Sequence, residues 1–345
     1  MKKSFVVLAI IAMLVVAFVA GCGGNSGNSG NSNQAKSTGG DDKVIEMKVG
    51  HVLAPTHPYQ IGLEKFAQLV DEKTNGKVKI TAFPSSQLGD EREMIEGLQM
   101  GTLDMALVST APLAGFSNKF LVFDLPFIFQ NREQAYKTLD GPIGTEILDT
   151  LKDQGIIGLD YWENGFRNVT NSSHPIVHPQ DMKGLKIRTM ENKIHMASFE
   201  TIGADPTPMA FGELFTALQQ KTVDAQENPI PIIWTSKFYE VQKYMSLTGH
   251  FYAAAPLLVS KTVWDKLTPE YQKAIQDSAV EARDYERSLI QQGDEELQAK
   301  LKAQGMQITE VNKAEWLKAM QPVYKQFESE IGADVIAKVQ NSNSN

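Results

Sequence analysis

The run that most limits the fold lies between residues 269 and 302, where helical patterning continues almost unbroken and Gly293 is the one weak point. At 1.5 Å per residue such a helix reaches about 50 Å, longer than one small lobe, so it is expected to cross two. What precedes it alternates. Residues 44–52 read as a strand, and a helix follows from Pro58, with Ile61, Phe66, Leu69 and Val70 at helical spacing, until Gly76. A strand at 77–83, a helix at 91–100 closed by Gly101 and a strand at 103–109 complete a βαβαβ order. That order calls for a mostly parallel sheet whose ligand edge lies at the carboxyl ends of its strands.

The second half repeats this logic with shorter pieces. After an apolar stretch at 121–129, helices are expected at 132–139 and 144–154 and strands at 156–161, 167–170, 185–188 and 223–226. Helices are expected at 194–202 and 211–220, and 247–260 reads as extended chain returning to the first lobe. A strand at 306–311 and helix over 314–339 close the fold. The reading is α/β with two lobes, residues 44–164 plus about 254–293 and residues 165–253 plus about 294–339, and a polar tail at 340–345.

Before the first strand the chain is of another kind. Met1-Lys2-Lys3 precedes an apolar run from Phe5 to Ala20, then Gly21-Cys22, the layout of a signal peptide over residues 1–21. Val19-Ala20-Gly21-Cys22 resembles a bacterial lipobox, which implies cleavage before Cys22, acylation of its thiol and anchoring at the outer face of the cell membrane. Residues 22–43 then form a Gly/Asn/Ser tether with a reach of about 20 to 30 Å. With 345 residues, 42% of them hydrophobic, the chain has enough apolar material for two cores. A net charge of -8 disfavours nucleic acid as a partner. Cys22 is the single cysteine, which leaves no internal disulfide and no cysteine-built metal cluster.

Motifs for catalysis are missing. There is no phosphate-cradling Gly-x-x-x-x-Gly-Lys, no Gly-x-Ser-x-Gly elbow and no His-Glu-x-x-His. No enzymatic activity, metal or cofactor is expected. The residues that suit recognition lie between 165 and 229: Arg167 and Arg188 on short strands, Phe211 opening a helix, and Asn228 before Pro229. A guanidinium matches a carboxylate bidentately, which a lysine does not. Each residue also has an ordinary reading: a solvated strand face for the arginines, core packing for Phe211 and a turn for Asn228.

Taken together, several stretches resemble a known family. They are Pro84 through Asp90, Asn164-Gly165-Phe166-Arg167, Met182 through Arg188, Gly203 through Phe211, Val223 through Pro229, and Lys237 through Lys243. The resemblance is to the DctP-family solute-binding subunits of tripartite ATP-independent periplasmic (TRAP) transporters, and it extends from residue 44 to about 330. It implies a two-lobe fold like that of periplasmic binding proteins, with crossing strands and a long lobe-spanning helix, that closes on a small organic acid by a hinge.

By the same resemblance, Arg188 pairs bidentately with the ligand carboxylate, Arg167 adds a further cationic contact, Asn228 orients the acid and Phe211 packs its carbon chain. Glu191, His51, His57, Trp234 and Tyr252 fall near ligand-facing segments. Ser109 stands where sialic acid-binding members carry an acidic residue, which argues against that ligand. The implied partners are the TRAP membrane permease subunits, and the protein is expected to be a monomer. A binding subunit of an ABC importer, or a ligand-presenting sensor of similar architecture, is the alternative.

Overall fold

The computed structural model describes residues 43–342. The expected signal peptide, Cys22 and nearly all of the tether lie outside the described residues. The first strand, β1 (Ile45–Gly50), buries Met47 and Val49 and exposes Glu46 and Lys48, the period of two that sheets impose. Pro58 occupies the first turn of α1 (Pro58–Lys73), and β2 (Val78–Phe83) then pairs parallel to β1. Next, α2 (Glu91–Met100) ends on Gly101, whose left-handed φ of 71° suits glycine, before the short strand β3 (Met105–Leu107). The strands lie in the order β2-β1-β3, all parallel, as the βαβαβ reading requires.

Three helices follow, α3 (Thr110–Leu113), α4 (Arg132–Leu139) and α5 (Pro142–Asp149), and then the strand on which the molecule turns. Where two strands were expected, at 156–161 and 167–170, there is one, β4 (Ile156–Asn171), of 16 residues. Asn164-Gly165 reads as a break because glycine punctuates strands. Here a register slip between Glu163 and Gly165 absorbs it, with Gly165 at φ 116°.

Past β4 come β5 (Lys186–Thr189), α6 (Lys193–Thr201), β6 (Asp205–Pro208), α7 (Phe211–Gln219), β7 (Ala225–Pro229) and α8 (Ile230–Thr235). Two of these were not expected. The prolines of β6 argue against a strand, yet its neighbour needs only alternate N–H groups, among them those of Asp205 and Met209, which donate to the carbonyls of Leu185 and Thr189. Pro231 hides α8 in the same way, although a proline in the first turn costs a helix nothing.

The extended stretch at 247–260 is chiefly β9 (Tyr252–Ser260), and just before it stands a strand that was not expected, β8 (Tyr244–Leu247). β4 pairs antiparallel with β9 from Ile156 to Phe166 and then with β7 from Arg167 to Asn171, so the two halves of a ten-stranded sheet meet on it. After α9 (Lys261–Trp264) runs α10 (Pro269–Ala303), 35 residues capped by Thr268, which packs on α1 and β4 in one half and on α8 in the other. It is the lobe-crossing helix expected.

β10 (Gln307–Glu310) pairs with β8, and the single helix expected over 314–339 is three: α11 (Lys313–Met320), α12 (Pro322–Ile331) and α13 (Ala333–Asn341). Pro322 and Gly332, the latter at φ 97°, make the breaks. The fold is two-lobed α/β. Among the described residues no helix is long and apolar enough to cross a membrane.

Candidate functional site

Arg188 sits on β5 only 2% exposed. The alternation expected there put Lys186 and Arg188 together on a solvated face, and only Lys186 is exposed. Arg188 is covered because the turn into α7 folds over it: its Nε and Nη2 donate to the Met209 carbonyl at 2.9 and 2.6 Å. Its Nη1 is buried with no hydrogen-bond partner. Burial, with the nearby charge of Arg167, pulls its pKa down to about 10, so it remains a cation at neutral pH. A buried cation with a free N–H is a strong demand for an anionic acceptor.

Arg167 lies where β4 passes from β9 to β7, and it is already paired. Its Nε donates to Glu227 Oε2 at 2.5 Å, and its Nη2 donates to Glu227 Oε1 at 2.7 Å. The same Nη2 reaches the Glu227 carbonyl at 2.6 Å and Asn228 Oδ1 at 3.0 Å. His250 Nε2 stands 3.2 Å from the same carboxylate, and Thr248 holds the other ring nitrogen at 2.7 Å. Burial works to raise the Glu227 carboxyl. The Arg167 charge and the hydrogen bonds from His250 and Arg167 override it and hold the group well below the usual carboxylate range. The two arginines are therefore unequal: one is neutralised within the protein, the other is not.

Both line one narrow inner chamber, together with Asn228, Phe211, Tyr59, Glu91 and Asn164. It holds about 10 Å³, the room of a single water, and it abuts an outer cleft of about 210 Å³ that Arg188, Glu91 and Phe211 also line. Asn228 is held from both sides, its amide donating to Gln226 Oε1 at 2.5 Å. Phe211 is the first residue of α7 and meets Phe238 edge-on, 6.1 Å between ring centres, so it packs the core and faces the chamber at once.

Of the secondary candidates, only Glu191 reaches the site. It is exposed at the outer cleft, and the cap of α6 is Asn192, whose side chain accepts from Ile194 and His195 N–H. Four others do not line the cavity. His51 is committed to Gln60 Oε1 at 2.9 Å and to Leu53 N–H, and burial brings its pKa down to about 4. His57 caps α1 through Tyr59 N–H. Trp234 stacks on Tyr239 under Lys300, and Tyr252 is packed among Phe129, Tyr136 and Phe166. All four are engaged in packing or capping away from the chamber, with His57 Nε2 and the Tyr252 hydroxyl buried and unpartnered.

The sequence reading missed Tyr59, Glu91 and Asn164. Glu91 opens α2, where an acid looks like an ordinary helix-start charge. Its place just past the carboxyl end of β2, where parallel sheets gather ligands, was the available signal. The carboxylate is buried, accepts Ser109 N–H at 2.6 Å, and is raised by burial against the pull of Ser109 and Arg188. Asn164 donates to Ser109 Oγ at 3.0 Å, leaving its Oδ1 buried and unpartnered, as is the Tyr59 hydroxyl. Two roomier clefts, about 470 Å³ beside Phe127 and Tyr324 and about 540 Å³ beside Asp160 and Arg283, are lined by no buried cation with an unpaired N–H. Among the described residues no group of three or more His, Cys, Asp or Glu could hold a metal ion.

Comparison with known proteins gives the site its setting. The model of bacterial extracellular solute-binding protein family 7, DctP, matches residues 49–330. The 2,3-diketo-L-gulonate-binding periplasmic protein YiaO of Escherichia coli is 40% identical over 262 residues, 76% of this chain and 80% of that one. A TRAP periplasmic solute-binding protein from Polaromonas, solved with D-erythronate, is 45% identical with a TM-score of 0.84, over 86% of this chain and 98% of that one. Another from Sulfurospirillum deleyianum, with bound succinate, is 36% identical with a TM-score of 0.83, over 86% and 99%. The chain belongs to the DctP family of extracytoplasmic solute-binding proteins of TRAP transporters.

Proposed function

We propose that this protein captures a small organic acid by its carboxylate and delivers it to a TRAP membrane permease, without chemical turnover. The observation that carries the reading is Arg188: a fully buried guanidinium, aimed into the cavity between the two halves of the sheet, with Nη1 free of any protein acceptor. A carboxylate in the chamber pairs with it. Asn228 and Arg167, the latter held in place by Glu227 behind it, form the floor against which the acid is oriented, and Phe211 covers its carbon chain. A chamber with room for one water admits an acid only when the walls part, so binding is coupled to movement of residues 44–164 plus about 254–293 against residues 165–253 plus about 294–339. Cleavage before Cys22 and acylation of its thiol hold the protein at the outer face of the membrane, as the lipobox-like residues 19–22 suggest.

Calorimetry on purified protein tests the reading. An Arg188→Ala variant should bind the preferred acid about 30- to 1000-fold more weakly, because the carboxylate is then desolvated without a partner. Unchanged affinity would remove Arg188 from the site. The acid should also be recovered unaltered after prolonged incubation.

A further inference from the structure

The pocket is lopsided in charge. Of its two inner arginines, Arg167 is spent on Glu227, which leaves Arg188 as the one inner cation with a free N–H among the lining residues. The rest of the chamber lining is apolar, as at Leu53 and Ile232, or polar without positive charge, as at Tyr59, Glu91, Asn164 and Asn228. The outer cleft carries five carboxylates, Asp90, Glu91, Glu93, Glu191 and Glu213. Its remaining cation, Arg92, is held 3.1 Å from Glu96 at the surface. Glu91 is the buried member of the five and borders both the cleft and the inner chamber.

We propose that Glu91 makes the pocket selective for hydroxy acids bearing one carboxylate and turns away dicarboxylates. The inference rests on the carboxylate-capture reading above and adds which carboxylates qualify. A first carboxylate on Arg188 satisfies the free guanidinium N–H. Whatever the rest of the ligand offers then meets Glu91, the unpartnered Oδ1 of Asn164 and the unpartnered hydroxyl of Tyr59. Ionised carboxylates only accept, whereas hydroxyls donate as well. A ligand hydroxyl therefore completes Glu91 and Asn164. A second carboxylate takes a hydrogen bond from the Tyr59 hydroxyl alone; at Glu91 and at Asn164 Oδ1 it sets acceptor against acceptor, and among the lining residues no cation besides Arg188 is left unpaired to meet it. Solved relatives of almost equal fold similarity hold D-erythronate in one case and succinate in another, so the fold leaves the choice to side chains such as this one.

The test compares D-erythronate and succinate, four carbons each, as calorimetric ligands at pH 7.5 for wild type, Glu91→Gln and Arg188→Ala. Glutamine keeps an oxygen for Ser109 N–H and turns the other acceptor into an uncharged amide donor, and thermal melts establish that each variant is folded. Wild type should bind D-erythronate about 100-fold or more tightly than succinate. In Glu91→Gln that ratio should shrink at least about tenfold, with succinate gaining in absolute affinity, a gain that a misfolded protein does not give. Arg188→Ala should lose both ligands. Succinate binding to wild type as tightly as D-erythronate, or an unchanged ratio in Glu91→Gln, overturns the proposal while leaving carboxylate capture standing. If wild type binds neither ligand, nor any acid in a wider panel of organic acids, carboxylate capture fails and this inference falls with it.

Discussion

Replacing Glu227 by glutamine isolates the cost of the internal pair that disarms Arg167. The carboxylate is fully buried and Arg167 is 1% exposed, so water cannot take over the solvation of the stranded guanidinium. Arg167 would keep the carbonyl of residue 227, Asn228 Oδ1 and one side-chain oxygen as acceptors, and it would lose its counter-charge and one of its two N–H···O bonds to the carboxylate. The glutamine amide would also bring a donor to face donors. His250 offers no substitute anion. Breaking a buried pair by removing one partner costs about 3–5 kcal/mol, and that is the destabilisation expected at pH 7.

The pH dependence follows from the direction of the Glu227 shift. Its carboxyl is depressed below the usual 4.5, so its contribution is complete above that value and is lost as pH falls through the lower folded-state value. The gap between wild type and Glu227→Gln should therefore be full at pH 7 and narrow only in acid. Urea unfolding followed by the fluorescence of the four tryptophans reads it directly. A variant within about 0.5 kcal/mol of wild type at pH 7, an ordinary surface effect, would refute the argument, as would a gap that widens on acidification.

Two further predictions concern β4. Asp160 is 8% exposed, both its oxygens lack partners, and burial lifts it from 3.8 to about 7 against the pull of Arg283 and Arg287. A raised carboxyl contributes its stability below its unfolded value and loses it as pH rises through the folded one, so Asp160→Asn should gain on wild type by about 4 kcal/mol between pH 4 and pH 8. Parallel pH profiles in chemical denaturation would rule this out. Gly165→Ala puts a side chain at φ 116° with its Cβ 3.3 Å from Pro229 Cβ, and should cost about 1–3 kcal/mol by the same denaturation assay while weakening ligand binding, because the bulge sets Phe166 and Arg167.

What the sequence revealed depended on how local the cause was. The helix 91–100 with its closing Gly101, the start of α7 at Phe211 and the long α10 are all set by residues within a turn or two of themselves, and each lies where expected. β4 was read as two strands because the partner that carries it through Gly165 is β9, some ninety residues away. The site followed the same rule. Arg188 and Arg167 were both legible as candidates. That one is free and the other spent was not, since Glu227 stands 60 residues from Arg167 and looks in sequence like any acid before an asparagine. Glu91 escaped for the converse reason: its local role at a helix start is complete without the burial that makes it matter.

The small strand β6 has a consequence of its own. It ends the sheet on one side, and its Asp205 and Met209 N–H groups point inward to β5. Alternation then places the outward positions at residues 206 and 208, and both are proline. The rim of the sheet offers no amide hydrogen on that side, so another chain's strand finds no donors to join. The residues that made this strand hard to foresee are the ones that keep neighbouring copies from annealing edge to edge, while α7 and the Met209 carbonyl that steadies Arg188 follow directly behind.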